Sequence, residues 1–388
     1  MIQSQQAIGR QDVLPDRISR VSAGDAEIEA VIRRMIDVAR RGLPQMFLPG
    51  HRQFAFTRKR RPDGRVALHG TSLRYGAIAV LGARHLDDSA QREIFGGQTA
   101  GEFTARLIRS LTPQTNLGDI ALVTWAAAEL SHLDLPHAVA RLQSRMGAAC
   151  DCYTVEAAWV LSGLVAARTQ LPVEREIEQA RDRLLAIASH ISGIFPHWTN
   201  PAAAPWTRRH VGCFADQVYP IQALARCARA SGHQPSLAAA ARCAEQICRL
   251  QGPAGQWWWH YDCRTGQVVE GYPVYTVHQD SMAPMALLDL HEAGGPAFDE
   301  AIRLGLSWMI NATEVGRCLI DDDLALIWRK VTRNGPARLV RQVRAASSRL
   351  HPQLRLLWLN GFFRPATIDY EDRPYHLGWI LHTWLTGA

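Results

Sequence analysis

Each of six places in the chain carries a dense run of polar side chains immediately before a strongly apolar stretch. They read Gly70-Thr71-Ser72-Leu73-Arg74-Tyr75, Asn116-Leu117-Gly118-Asp119, Tyr153-Thr154-Val155-Glu156, Phe214-Ala215-Asp216-Gln217-Val218-Tyr219, Val277-His278-Gln279-Asp280-Ser281-Met282 and Arg373-Pro374-Tyr375-His376-Leu377-Gly378. Carboxyl, imidazole and phenol groups are the side chains that give and take protons during bond cleavage. Two carboxyls flanking a cleft divide that work, one protonating a leaving oxygen while the other activates water or attacks carbon. Capping is the competing role, because Ser, Asp and Asn before a helix satisfy its unpaired N–H groups. It accounts for Asp119 but poorly for His278, Gln279, Tyr219 and Tyr375.

A second cluster runs from Gln256 through Trp257-Trp258-Trp259-His260-Tyr261-Asp262 and on through Glu270-Gly271-Tyr272-Pro273-Val274-Tyr275 to His278. Gly266 and Pro273 mark a loop or short hairpin leading into the fifth apolar stretch. Three adjacent tryptophans cannot all point inward from a helix or strand, so at least one faces a cleft or partner. Indoles stack on the C–H faces of sugar rings while Asp, Gln, His and Tyr bond the hydroxyls; a saccharide cleft needs this mixture.

These residues need elements to hold them. Helical spacing recurs along the chain, and alternating strand patterns bounded by hairpin turns are nearly absent, so the fold class is all-α. The six apolar stretches alternate with more charged amphipathic ones near Ala26–Arg41, Glu102–Leu111, Pro136–Met146, Val173–Ile191, Ser236–Leu250 and Ala297–Asn311. A helix apolar on most faces must be covered on both sides, and an outer ring of amphipathic helices around an inner ring achieves this. Roughly parallel inner helices would gather their N-terminal turns at one mouth, where the helix dipoles favour anions.

The length of 388 residues, with 47% hydrophobic and 20% charged residues, suits one large closed domain. Residues 1–24 read as an N-terminal extension and 25–388 as the domain. Met1–Gly9 lacks a leader pattern and no apolar run is long enough to span a bilayer, so a cytoplasmic location, peripheral to the inner membrane face at most, is expected. The eight cysteines, Cys150, Cys152, Cys243 and Cys248 among them, read as reduced thiols.

The net charge of +7 is local: no acidic residue lies between Asp323 and Asp369, and the segment 329–364 carries Arg329, Lys330, Arg333, Arg338, Arg341, Arg344, Arg349, Arg355 and Arg364. Arg338, Arg341 and Arg344 recur every three residues and are expected near one helical face, which would meet an anionic membrane surface or an acidic polymer. Nucleic acid is not expected as a partner, since no recognised binding module accompanies the charge. Asp321-Asp322-Asp323 before Leu324–Trp328 is expected to cap a helix. No His-Glu-x-x-His, Cys-x-x-Cys or phosphate-loop pattern occurs, so neither metal nor cofactor is expected.

The six paired stretches resemble the six-hairpin (α/α)6 toroid shared by many glycoside hydrolases, polysaccharide lyases and sugar epimerases. That resemblance covers nearly the whole chain after the N-terminal segment. It implies acids and bases at the funnel mouth, by position Asp216, Asp280, Glu156 and His278, and a carbohydrate-active enzyme for which hydrolysis is named first. Asp216 and Asp280 are the expected pair, with Glu156 in reserve. Arg74, Tyr75, Gln217, Tyr219, Trp257, Trp258, Trp259, His260, Tyr272, Tyr275, Gln279, Tyr375 and His376 would bind the saccharide. A lyase or epimerase would instead pair His and Tyr beside a uronate carboxylate neutralised by Arg74. Gln251–Trp257 also resembles the Gln-x3-Gly-x-Trp repeat of terpenoid cyclases, related α/α toroids; Asp321-Asp322-Asp323 and Asp87-Asp88 stand in place of their acidic motifs. A toroid that binds a glycan or lipid-linked partner without turning it over is the non-enzymatic alternative.

Overall fold

A computed structural model describes residues 16–147 and 151–387. Met1–Gly9 and Cys150 lie outside the described residues. Twelve helices alternate between two concentric rings. The outer ones are α1 (Ala26–Gly42), α3 (Ala100–Arg109), α5 (Leu135–Arg145), α7 (Glu174–Ile187), α9 (Gln234–Arg249) and α11 (Asp299–Ile310). The inner ones are α2 (Leu73–Ala83), α4 (Leu117–Glu129), α6 (Thr154–Ala167), α8 (Ala215–Ser231), α10 (Ala283–Glu292) and α12 (Pro374–Leu385). A π-helical turn, His278–Met282, leads into α10. Each inner helix packs on the next, and α12 returns to α2. The ring is therefore closed, as the alternation of apolar and amphipathic stretches predicts.

Closure shapes the composition. Eleven of the thirteen α4 residues are buried, whereas α3 buries only one face, through Phe103, Leu107 and Ile108. The seam between the first and last inner helices is built on glycine. A Cβ on Gly82 would lie 2.3 Å from the Gly378 carbonyl oxygen, and one on Gly378 would lie 2.7 Å from that of Ile78. Backbone cannot yield as a flexible side chain does. Gly82→Ala is therefore expected to cost at least about 1–3 kcal/mol, the usual scale of overpacking. Denaturant unfolding at a stability equal to that of the unaltered chain would show that the seam can spread.

Residues before Ala26 are docked where they are described. Helix Asp16–Ser22 buries Ile18 and Val21, and Arg17 pairs with Asp289 and Glu292 of α10. Small antiparallel sheets decorate the mouth: Val211–Cys213 with His260–Asp262 and Val268–Glu270, and Val274–Tyr275 with Lys330–Arg333 and Pro365–Asp369. A third joins Gln53–Arg60 to Val66–Thr71, Phe47–Leu48 and Glu371–Asp372. The hairpin expected around Gly266 is thus present, with Gly266 at φ +70°.

Three expectations are corrected. Asn116, not Asp119, caps α4 by accepting from the Gly118 N–H; Asp119 lies in the first turn and is engaged elsewhere. No helix follows Asp321-Asp322-Asp323: Ile320–Asp321 pairs with Leu326–Ile327 in a hairpin, and Asp322 bonds to Arg34 of α1. The basic helix Ala337–Leu350 does not present Arg338, Arg341 and Arg344 together. Arg338 is exposed, Arg341 is half-buried and Arg344 is only 5% exposed. Each step of three residues falls about 60° short of a full turn, so two such steps carry the third arginine inward.

Cys213, Cys227, Cys243, Cys248, Cys263 and Cys318 are free thiols. Among the described residues, no helix is long and apolar enough to cross a membrane.

Candidate active-site funnel

The six inner N-termini meet at one mouth. Ser72 accepts from the Tyr75 N–H and so starts α2 with Arg74 facing the axis. Arg74 Nε donates to Asp119 Oδ1 at 2.7 Å, its Nη2 to Asn116 Oδ1 at 3.0 Å, and Nη2 lies 3.8 Å from Glu156 Oε1. Its guanidinium sits 4.9 Å from the centre of the Trp159 ring. One cation thus ties together the openings of α2, α4 and α6. Gly118 permits it, since a Cβ there would meet Glu156 Cγ at 3.0 Å and the Trp159 ring at 3.1 Å.

Below this rim the funnel encloses about 190 Å³. Its walls are aromatic: Tyr75 lies 4.9 Å from Tyr375, and Tyr219 lies 5.1 Å from Trp159. On the opposite side Trp259 stacks on His278 at 5.7 Å and 10°, with Tyr275 4.9 Å from the same imidazole. Arg329 is the second cation in the lining; it pairs with Glu371 at 2.5 Å and lies over the Tyr275 ring. No aspartate or glutamate stands among the described lining residues. Burial, then the charges of Arg329 and His376, hold the His278 imidazole well below its ordinary pKa, and its Nδ1 has no partner. A neutral imidazole next to phenols and two guanidiniums can take up a proton while an acid group is held beside it.

Asp216 lies behind the rim, fully buried. Its Oδ2 accepts from the Cys213 N–H at 2.7 Å and meets His197 Nδ1 at 2.8 Å. His197 is 30% exposed and lies 4.9 Å from Tyr153 at the opening of α6. Burial alone would lower its pKa, but the charge and hydrogen bond of Asp216 outweigh that, and the net shift is upward. His197, Cys213 and Asp216 also bring nitrogen, sulfur and oxygen donors within 4.8 Å of one another, a set that zinc accepts.

Asp280 is fully buried and does not line the funnel. Its Oδ2 lies 2.7 Å from His376 Nε2, and His376 Nδ1 faces Asp372 Oδ1 at 3.6 Å. Burial opposes charge on His376, but the two carboxylates prevail and raise its pKa to about 10; burial also pushes Asp280 up. Both ring nitrogens face carboxylates, so both must carry hydrogen, and the imidazolium is the form that fits.

The structure therefore brings Arg74, Tyr75, Tyr219, Trp259, Tyr275, His278 and Tyr375 into one lining and sets Glu156 beside it. The other expected residues brace the walls. Gln217 bonds to Phe195 and Cys213 backbone, Gln279 to Trp257 N and Tyr275 O, and His260 stacks on Trp259. Trp257 is buried against Phe214, and Trp258 packs on Tyr272, whose hydroxyl donates to Glu314. Gln251 bonds to Gly255 and Ala301 carbonyls, so the Gln-x3-Gly-x-Trp stretch anchors its loop to α11. Arg329 and His197 were not singled out for the site. Tyr370-Glu371-Asp372-Arg373 before the sixth opening and Pro196-His197-Trp198 before the fourth were the available signals.

No protein-family model matches this chain, and no curated protein matches it. Solved structures do. An unsaturated glucuronyl hydrolase specific for heparin superposes with a TM-score of 0.57 at 13% identity, over 92% of this chain and 95% of that one. The unsaturated glucuronyl hydrolase of Bacillus sp. GL1, responsible for degrading glycosaminoglycan, gives 0.58 at 14% identity over the same shares. A possible member of the GH105 family from Salmonella enterica gives 0.57 at 10% identity, over 91% and 92%. These likenesses concern fold, and the fold is the (α/α)6 toroid.

Proposed function

We propose that this chain is a carbohydrate-active enzyme whose funnel receives an acidic sugar unit. The lining carries the proposal: aromatic faces for a pyranose ring, with Arg74 and Arg329 as the only formal charges among its described residues. Guanidinium forks suit carboxylates. The solved toroids named above include glucuronyl hydrolases, and a glucuronyl group bears a carboxylate, in keeping with these two cations. An isoprenoid cation would be repelled by them, which speaks against terpenoid cyclisation.

Hydrolysis is the reaction we assign. His197, held by Asp216 at the rim, serves as the outward proton carrier and Glu156 as the second acid–base group. Asp280 positions His376 rather than touching substrate. Half-buried Arg341, whose charge reaches Tyr275 of the lining, extends the cationic surface beside the mouth, as an acidic glycan strand running out of the funnel would require.

Elimination or epimerisation is the second reading, favoured by the neutral His278 in the lining. Incubation with oligosaccharides ending in a uronate or in a neutral sugar, followed by mass analysis of products and by proton NMR to detect a mass-neutral epimer, tests both. Hydrolysis adds one water to the sum of the fragments; elimination adds none; turnover confined to neutral sugars would overturn the acidic-substrate assignment. Arg74→Gln is expected to raise KM for the uronate substrate roughly tenfold, because a ground-state ion pair is lost. An unaltered KM would remove Arg74 from substrate binding.

A further inference from the structure

We infer that a second cleft, between the 260–272 hairpin and the basic segment, binds an oxyanion: a phosphate, sulfate or carboxylate group carried on a small molecule. It encloses about 250 Å³ and shares no lining residue with the funnel. Its charged wall is Arg333 and Arg344, whose side chains are 1% and 5% exposed.

Both buried guanidiniums rely on one carboxylate. Arg333 Nη2 donates to Glu270 Oε1 at 2.7 Å and Arg344 Nη1 lies 3.4 Å from Glu270 Oε2, with Glu270 fully buried. Among the described residues one positive charge is left without a counter-charge, and buried charge is costly unless paired. The Nε–H groups of both arginines are also buried and without a partner among the described residues. Burial, reinforced by the neighbouring Arg333, outweighs Glu270 and lowers the Arg344 pKa, in line with a missing anion.

The rest of the cleft completes the recognition. Arg355, exposed at the entrance, brings a third guanidinium that donates to Gln267. Asn360 turns its carbonyl oxygen to Arg333 and Arg344, leaving its amide as a further donor. Trp258 and Tyr272, ring centroids 5.8 Å apart, give an apolar wall against which a flat scaffold can lie. The three arginines and Glu270 sum to +2, which suits a dianion. The cleft's chemistry stands independently of the saccharide reading.

The test is calorimetric titration of the full chain with inorganic phosphate, sulfate and glucuronate in separate arms, at ionic strength matched with chloride. Binding of phosphate or sulfate is expected, with Kd weakened roughly tenfold in Arg355→Gln, an exposed substitution that spares the core, and unchanged in Arg74→Gln. Arg344→Gln, checked for folding by its melting curve, should abolish binding. No heat from any of the three anions overturns the inference. So does binding that Arg355→Gln leaves intact, or binding of glucuronate alone that is lost in Arg74→Gln, which would locate the anion in the funnel.

Discussion

Asp216→Asn is expected to reduce turnover at least about a hundredfold, the usual scale of lost general acid–base assistance. The substitution keeps an oxygen for the Cys213 N–H but removes the charge that holds the His197 pKa up against burial. In the unaltered chain the protonated imidazole persists to higher pH than an ordinary histidine. In the variant it should deprotonate at lower pH, and whichever limb of the pH–rate profile reports His197 should move to the acid side. Melting temperature separates this from collapse of the rim. A near-normal rate in a folded variant, or an unmoved limb, would exclude the His197–Asp216 pair from the chemistry.

Asp280→Asn should instead act on stability. Its carboxylate is the nearer of two that share the buried His376 imidazolium, and breaking a buried pair by removing one partner costs about 3–5 kcal/mol. The same cluster sets a pH dependence with a definite sign. His376 is raised from about 6.5 to about 10, so its contribution is whole below the lower value. That contribution is lost as pH rises through the upper one. Asp280 is also raised, and its contribution has the same sign, falling as pH rises. Denaturant unfolding across this range should show falling stability in the unaltered chain and a flatter profile in Asp280→Asn. A profile rising toward pH 10 would mean that the imidazole is buried neutral.

Local signals made most of the architecture legible. Helix caps and apolar periods lie within a few residues of each other, so the six openings, their six companions and the shared mouth could be read directly. Long-range pairing was not legible. His376 meets Asp280 across 96 positions and Arg329 meets Glu371 across 42, and nothing in a single sequence couples such residues. Hence Asp280 was expected beside a substrate and Arg329 only on a basic face. The short apolar run Leu324–Trp328 fits helix or strand equally by period; its pairing with Ile320–Asp321 decided for strand. Of the three tryptophans only Trp259 lines the funnel; Trp258 lies on the second cleft, its ring so close to Gly271 that a Cβ there would meet it at 2.8 Å.

The glycine seam also bears on biosynthesis. The helix that closes the ring, Pro374–Leu385, is synthesised after the other eleven, and its groove against Leu73–Ala83 and Ala26–Gly42 exists long before it emerges. A chain still on the ribosome must hold that apolar groove open, exposed to chaperones and to neighbouring nascent chains. The sixth wall of the funnel, with Tyr375, arrives with the same helix. A premature stop at or before codon 374 would thus remove the whole closing helix and leave a product that is neither sealed nor able to form its site.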